Sequence, residues 1–222
     1  MPRPGDTVRD VRETGDSGAR QGRPLRLFRS DFLERFSRTS LATIILFWVP
    51  VSGLCIVIGS REGQFSPTQS AVAVASGAVA WTLVEYLLHR FFFHLDRWVP
   101  AARPFTFLIH GCHHADPADA GRDIMPLAGS IPIFAVILGG MLLLLGHALA
   151  LLVMGGFGFA YLSYDVLHYA CHQWRPRGAL AAALKRHHLI HHYVDGGRNF
   201  GVTSPLWDWL FGTLRHGGPH GP

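Results

Sequence analysis

The sequence predicts an all-α integral membrane protein in which four transmembrane helices, arranged as two hairpins, stand beneath a cytosolic helical cap. Three observations lead to that expectation. Hydrophobic residues make up 49% of the chain and charged ones 16%, with a mean hydropathy of +0.21, which suits several apolar spans better than one buried core. Four stretches are apolar and long enough to cross roughly 30 Å of hydrocarbon. Most of the histidines crowd just beyond the ends of those stretches.

In chain order, residues 1–26 are rich in Gly, Arg, Asp and Pro and poor in large apolar groups, the composition of a disordered tail. Asp31 to Arg38 reads as a short interfacial helix, so residues 1–40 form a basic, disordered tail with an interfacial segment and residues 41–222 a membrane-embedded domain. Leu41 to Gly59 carries no charge, Ala71 to Leu88 carries only Glu85, Leu127 to Gly146 carries none, and Ala148 to Leu167 carries Asp165. The hairpin turns fall at Arg61 to Thr68 and at Gly146 to His147. Ala179 to Tyr193 is rich in Ala and Leu and makes a good helix. Asn199 to Thr213, rich in Trp and Phe, is expected to pack as a cap over the cytosolic lobe.

Charge sets the orientation. Nine arginines precede Leu41, four lie between His89 and Pro126, and six Lys or Arg follow Tyr169, whereas the two turns hold only Arg61 and His147. The positive-inside rule then puts both termini and every histidine motif in the cytoplasm. The pI of about 9.6 reflects this topology and attraction to anionic lipid. No nucleic-acid partner is expected, since the basic residues are scattered and no stacking platform accompanies them. No cleavable secretory signal is expected either, because the first apolar stretch is long and begins only after forty residues. Cys55, Cys112 and Cys171 form no secreted-type disulfide framework; Cys112 and Cys171 sit beside the histidines, and Cys112 reads as a small filler rather than a metal ligand, since a thiolate is easily oxidised near activated oxygen.

The histidines repeat. His94 to His110 and His172 to His188 are both sixteen residues apart, and each pair leads into a His-x-x-His-His run. An offset of 78 maps His94 on His172, His110 on His188, His113 on His191 and His114 on His192, with His89 and His168 one register step apart. Imidazole is a common ligand for borderline metals, and histidines three or four apart on a helix can address one ion. On an α-helix each triplet spans about 100°, so each is expected to serve one cluster. His168 and His172 lie about 40° apart but His89 and His94 about 140°, so a helix irregularity is expected there. The candidate ligands are thus His89, His94, His110, His113, His114, His168, His172, His188, His191 and His192, serving two metals at a pseudo-twofold junction. His187, Asp165 and Glu85 are expected to support them from behind. Tyr164, Tyr169 and Tyr193 are candidates for the substrate cavity. Asp208 is a candidate anchor for the cap, and His147, His216 and His220 stand outside the pattern.

About five imidazoles per ion leave a position for dioxygen or water. A site at the membrane surface suits oxidation of an unactivated C–H bond on a lipid, and redox-active iron is the expected metal because zinc cannot accept electrons; zinc can fill the same ligands in a purified protein. Paired Glu and Glu-x-x-His ligands of soluble di-iron bundles are absent from the sequence.

The segments HRFFFH (89–94), LIHGCHHADPAD (108–119), YDVLHYACH (164–172), KRHHLIHHY (185–193) and NFGVTSPLWDWLFGT (199–213) together resemble the fatty acid hydroxylase and sterol desaturase superfamily, closest to its fatty acid 2-hydroxylase branch, over about residues 71–215. The resemblance implies a monooxygenase of lipid biosynthesis that inserts one oxygen atom from dioxygen at carbon 2 of a fatty acyl chain, with two iron ions held by the ten histidines. Some relatives carry a fused haem domain; this chain has no haem motif, so a separate electron donor is implied: a b-type cytochrome, ferredoxin or reductase. The alternatives are a sterol or carotenoid hydroxylase or desaturase of the same superfamily and, more remotely, a membrane metal carrier.

Overall fold

The computed structural model describes residues 25–217; most of the expected disordered tail, and His220, lie outside the described residues. The described residues are all helix and loop. Helix α1 (Asp31–Phe36) is capped by Ser30 and leaves Phe32, Leu33 and Phe36 exposed. Helix α2 (Leu41–Glu62) starts on the Ser40 cap and α3 (Pro67–Leu87) on a Ser66/Gln69 capping box with Pro67 in its first turn, an arrangement that satisfies the free N–H groups of a helix start. Helix α3 passes without a break into a π-turn, Leu88–Phe93. The cap then winds through two 3-10 turns to α4 (Arg103–Thr106), a second π-turn (Phe107–Gly111) and α5 (Cys112–Ala115). Helices α6 (Leu127–Leu145) and α7 (His147–Gln173) are joined by Gly146 alone, at φ 75°, a conformation that costs glycine little. Helix α8 (Ala179–Tyr193) and the short α9 (Leu206–Leu210) complete the cap.

Helices α2, α3, α6 and α7 are long and apolar enough to span a membrane, and they match the four expected stretches with some ends a few residues longer and the Leu88 and Gly146 ends one residue shorter. Lipid-facing surface is plain on α6, where Val136, Leu143 and Leu144 are exposed; in water such a surface would be unfavourable. Helix α7 is the axis of the bundle, with residues 150–158 wholly buried. Helices α2 and α3 pack along it, whereas α6 touches it more sparsely. Gly77 and Gly156 let α3 and α7 meet backbone to backbone: a Cβ at Gly156 would lie 1.8 Å from the Val74 carbonyl oxygen, and one at Gly77 would lie 1.9 Å from that of Val153. Small residues serve close helix approach within membranes in this way. Towards the cap the core becomes aromatic, with Trp48 on Phe134 (4.0 Å between centroids) and Trp81 edge-on to Phe157 (5.1 Å) and Tyr161 (5.1 Å).

Two charged devices tie the chain to this frame. Arg122, buried, reaches Glu34 on α1 and the Leu25 carbonyl, while Arg38 grips Asp119 with both terminal guanidinium nitrogens. Glu85, inside the α3 span, accepts hydrogen bonds from the backbone N–H groups of Val202 (2.5 Å) and Thr203 (2.9 Å) and from the Thr203 hydroxyl. It therefore anchors the C-terminal loop, which accounts for a carboxylate at that depth.

Candidate metal centre

Ten histidines converge in two groups of five. The first is His89, His94, His110, His114 and His191; the second is His113, His168, His172, His188 and His192. Within each, one ring nitrogen per histidine lies within 4.8 Å of every other. The π-turn at residues 88–93 answers the expected irregularity: i→i+5 pairing brings positions five apart onto one face, and the His89 and His94 rings stack 5.3 Å apart. Helix α7 stays α-helical, so there the spacing is four. That difference is the one-register step between His89 and His168.

One expectation is corrected. The His-x-x-His-His triplets do not each serve a single cluster, because the middle histidines cross over: His113 joins the second group and His191 the first. On α8 His188 and His192 are four apart and share a face, while His191 points about 60° away from His188; His110 and His114, which bracket the passage from the second π-turn into α5, pair in the same way. The exchange obeys the 78-residue repeat, since His113 and His191 correspond. The groups abut where His114 stacks on His192 at 4.1 Å, another corresponding pair.

Protons alone cannot satisfy these clusters. His89 and His191 donate from Nδ1 to the carbonyl oxygens of Phe200 (2.5 Å) and Arg198 (2.8 Å), and His168 donates to that of Asp123 (2.6 Å). Each then presents Nε2 as a bare lone pair. Those atoms face other imidazole nitrogens: His89 Nε2 lies 3.0 Å from His110 Nε2, and His191 Nε2 lies 3.1 Å from His94 Nε2 and 3.2 Å from His114 Nε2. In the second group His113 and His192 stand 3.1 Å apart and His172 and His188 2.8 Å apart, while buried His168 Nε2 has no partner among the described residues. Extra protons are opposed. Burial first, then the neighbouring imidazoles, pushes His94 down to about 2 and His114 to about 3, and holds His110, His113, His188 and His191 well below the usual histidine range. With imidazole–metal bonds of about 2.1 Å, ligands at right angles sit about 3 Å apart, as these nitrogens do. The donor set fits a divalent transition metal.

The remaining expected residues separate by role. His187 is bonded to Asp208 (3.2 Å) and touches no cluster nitrogen, Glu85 holds the loop already described, and the Asp165 carboxylate has no hydrogen-bond partner among the described residues. Asp165 was expected to hold His168, but that proton goes to Asp123, whose carbonyl lies opposite the ring. Asp123, unforeseen from the sequence, also brings its carboxylate to 3.3 Å from His113 Nδ1 and accepts from Gln173 at 2.6 Å; burial pushes its carboxyl up to about 7. Tyr164 stacks on His168 at 5.7 Å and lines a cavity of about 20 Å³ with Trp81, Phe93, Ser130, Phe134 and Tyr161. Tyr169 instead packs on Trp174, and Tyr193 is exposed on α8, so neither reaches that cavity. Cys112 points its thiol at the Leu108 carbonyl and stays outside both groups, His147 pairs with Glu62 at the hairpin turns, and His216 is exposed.

A four-span bundle carrying two five-histidine clusters at one end defines a membrane protein with a histidine-rich metal-binding site. Residues 74–213 match the fatty acid hydroxylase family model, and the chain belongs to that family. It is 38% identical over 189 residues to the dihydroceramide fatty acyl 2-hydroxylase FAH2 of Arabidopsis thaliana, covering 85% of this chain and 79% of that one. It is 32% identical over 223 residues to the human fatty acid 2-hydroxylase, covering 89% of this chain and 59% of that one. Among solved structures, the visible hydroxylase domain of full-length scs7p superposes with a TM-score of 0.80 at 34% identity, covering 86% of this chain and 72% of that one.

Proposed function

We propose that the chain is a membrane-bound di-iron oxygenase that hydroxylates carbon 2 of a fatty acyl chain. The ten clustered histidines are its metal ligands and residues 41–222 its hydroxylase domain. One dioxygen, two electrons and two protons convert the acyl C–H to C–OH and release one water. The electrons come from a separate donor, and both termini and the clusters face the cytoplasm. The observation that carries this reading is the convergence of ten proton-poor imidazoles beside an apolar cavity. When bound, the metal pair supplies the reduction of dioxygen that no side chain here can perform.

The residues themselves position and exclude. Phe93 and Tyr164 line the cavity and stack on His110 and His168, so an acyl carbon placed there lies one ring away from each cluster. Trp81, Ile133 and Phe134 exclude water from that point. The sparse packing of α6 provides lateral entry from lipid, which suits a substrate that never leaves the bilayer. The carbonyls of Phe200, Arg198 and Asp123 fix the ligand tautomers, and no paired carboxylates are needed because specificity comes from placement.

The test is turnover of iron-loaded, reduced protein with a fatty acyl lipid under 18O-labelled dioxygen. The expected product is a 2-hydroxy acyl lipid carrying the label. Label arriving from water, or full activity with zinc alone, refutes the reading.

A further inference from the structure

We propose that α9 is a lipid-inserted latch that holds the first histidine cluster in its metal-binding form, with the bilayer as its partner. This rests on the reading that the first cluster holds a metal ion. The two faces of α9 look in different directions. Inward, Asp208 is completely buried and accepts hydrogen bonds from the N–H groups of Phe200 (2.8 Å) and Gly201 (2.8 Å), from the Thr213 hydroxyl (2.7 Å) and from His187 Nε2 (3.2 Å). Those bonds fix the loop that aims the carbonyls of Arg198 and Phe200 at the Nδ1–H groups of His191 and His89. The loop has little freedom otherwise. Asn199 sits at φ 57°, its side chain bonded to the His187 and Arg215 carbonyls, and a Cβ at Gly201 would lie 2.3 Å from the Ser204 oxygen.

Outward, Leu206, Trp209, Leu210 and Phe211 are 47–67% exposed. Their depth is set by Trp207, whose indole N–H donates to the Thr82 hydroxyl at 3.0 Å. Thr82 belongs to the α3 span and lies seven residues before His89, about 10 Å along the helix axis. The exposed face is therefore level with the membrane-spanning part of α3, where aromatic and leucine side chains partition into lipid. The second cluster touches this anchor only through α8, where His187, bonded to Asp208, precedes His188. Its carbonyl comes from Asp123, tied to Gln173 and not to α9.

The test uses the whole protein in phospholipid nanodiscs loaded with zinc and then challenged with a chelator. Wild type is expected to release both equivalents slowly. In Asp208→Asn, one equivalent is expected to leave about 10- to 100-fold faster, the usual cost of losing a group that orients a ligand, while the other is unchanged. Adding His172→Ala to Asp208→Asn then removes the slow equivalent, and adding His94→Ala does not. Trp209→Ser with Leu210→Ser, which alters only exposed groups, is expected to speed the same equivalent, and keeps the test open if Asp208→Asn does not fold. Brominated lipid is expected to quench the fluorescence that Trp209→Phe removes. Simultaneous release of both equivalents, unchanged release in the variants, or an unquenched Trp209 buried in a dimer of two copies overturns the latch. A wild type that binds no more than one equivalent overturns the two-metal reading instead.

Discussion

Gly156→Ala is expected to inactivate the protein without touching any histidine. The new Cβ would sit 1.8 Å from the Val74 carbonyl oxygen. The obstacle is backbone, so no rotamer change relieves it, and α3 must move at least 1.2 Å away from α7 merely to bring 1.8 Å to 3.0 Å. Overpacking of this kind typically costs about 1–3 kcal/mol. The functional loss is larger, because α3 leads to His89 and His94 while α7 carries His168 and His172. Separating the helices pulls apart the two halves of the centre, and a misplacement of about 1 Å can reduce turnover roughly 100-fold. Gly139→Ala on α6 is the control, since a Cβ there meets nothing within 4 Å. Thermal unfolding and hydroxylation rate in matched nanodiscs read the two effects. A Gly156→Ala protein with wild-type melting and turnover, or a Gly139→Ala protein equally impaired, would refute the argument.

Because the middle histidines cross over, His191→Ala is expected to deplete metal from the group containing His89, and His113→Ala from the group containing His168, each with loss of activity; His147→Ala and His216→Ala leave metal content intact. Loss from the opposite groups, read by site-resolved spectroscopy, would restore the unswapped assignment. Acid sensitivity follows from His94, held at about 2, and His114, held at about 3, chiefly by burial. Below 6.5 the unfolded chain takes up protons that the fold refuses, so the metal-free protein is most stable above that value. It loses up to about 1.4 kcal/mol per pH unit for each such histidine as the pH falls towards 3. Unfolding of chelator-stripped protein across that range measures it, and a flat profile counts against neutral, buried ligands. For topology, a cysteine introduced at Arg61 is expected to label from outside and one at Arg186 only after permeabilisation; the reverse pattern would invert the orientation.

The spans were legible because an uninterrupted apolar stretch of that length fits few structures besides a membrane helix, and the ten histidines because their spacing repeats. Even the π-turn left a trace, in five residues from His89 to His94 where the second half has four from His168 to His172. The exchange of His113 and His191 left none, since helical angle tells which neighbours share a face but not which partner helix lies opposite. Asp123 was hidden for a different reason. It works largely through its carbonyl, which every residue possesses, on a histidine 45 positions away. Asp165, three residues from the same histidine, drew the expectation that belonged to it.

The exchanged histidines also dictate an order of assembly during synthesis. His191 completes the set begun by His89, and His113 belongs with residues that follow it by at least 55 positions. Neither pocket is whole until α8 has left the ribosome, so a nascent chain halted after α7 offers only partial cages. Splitting the gene between the hairpins would likewise yield two fragments, each lacking one cluster histidine that the other carries. Metal uptake thereby reports that both halves of the polypeptide have met.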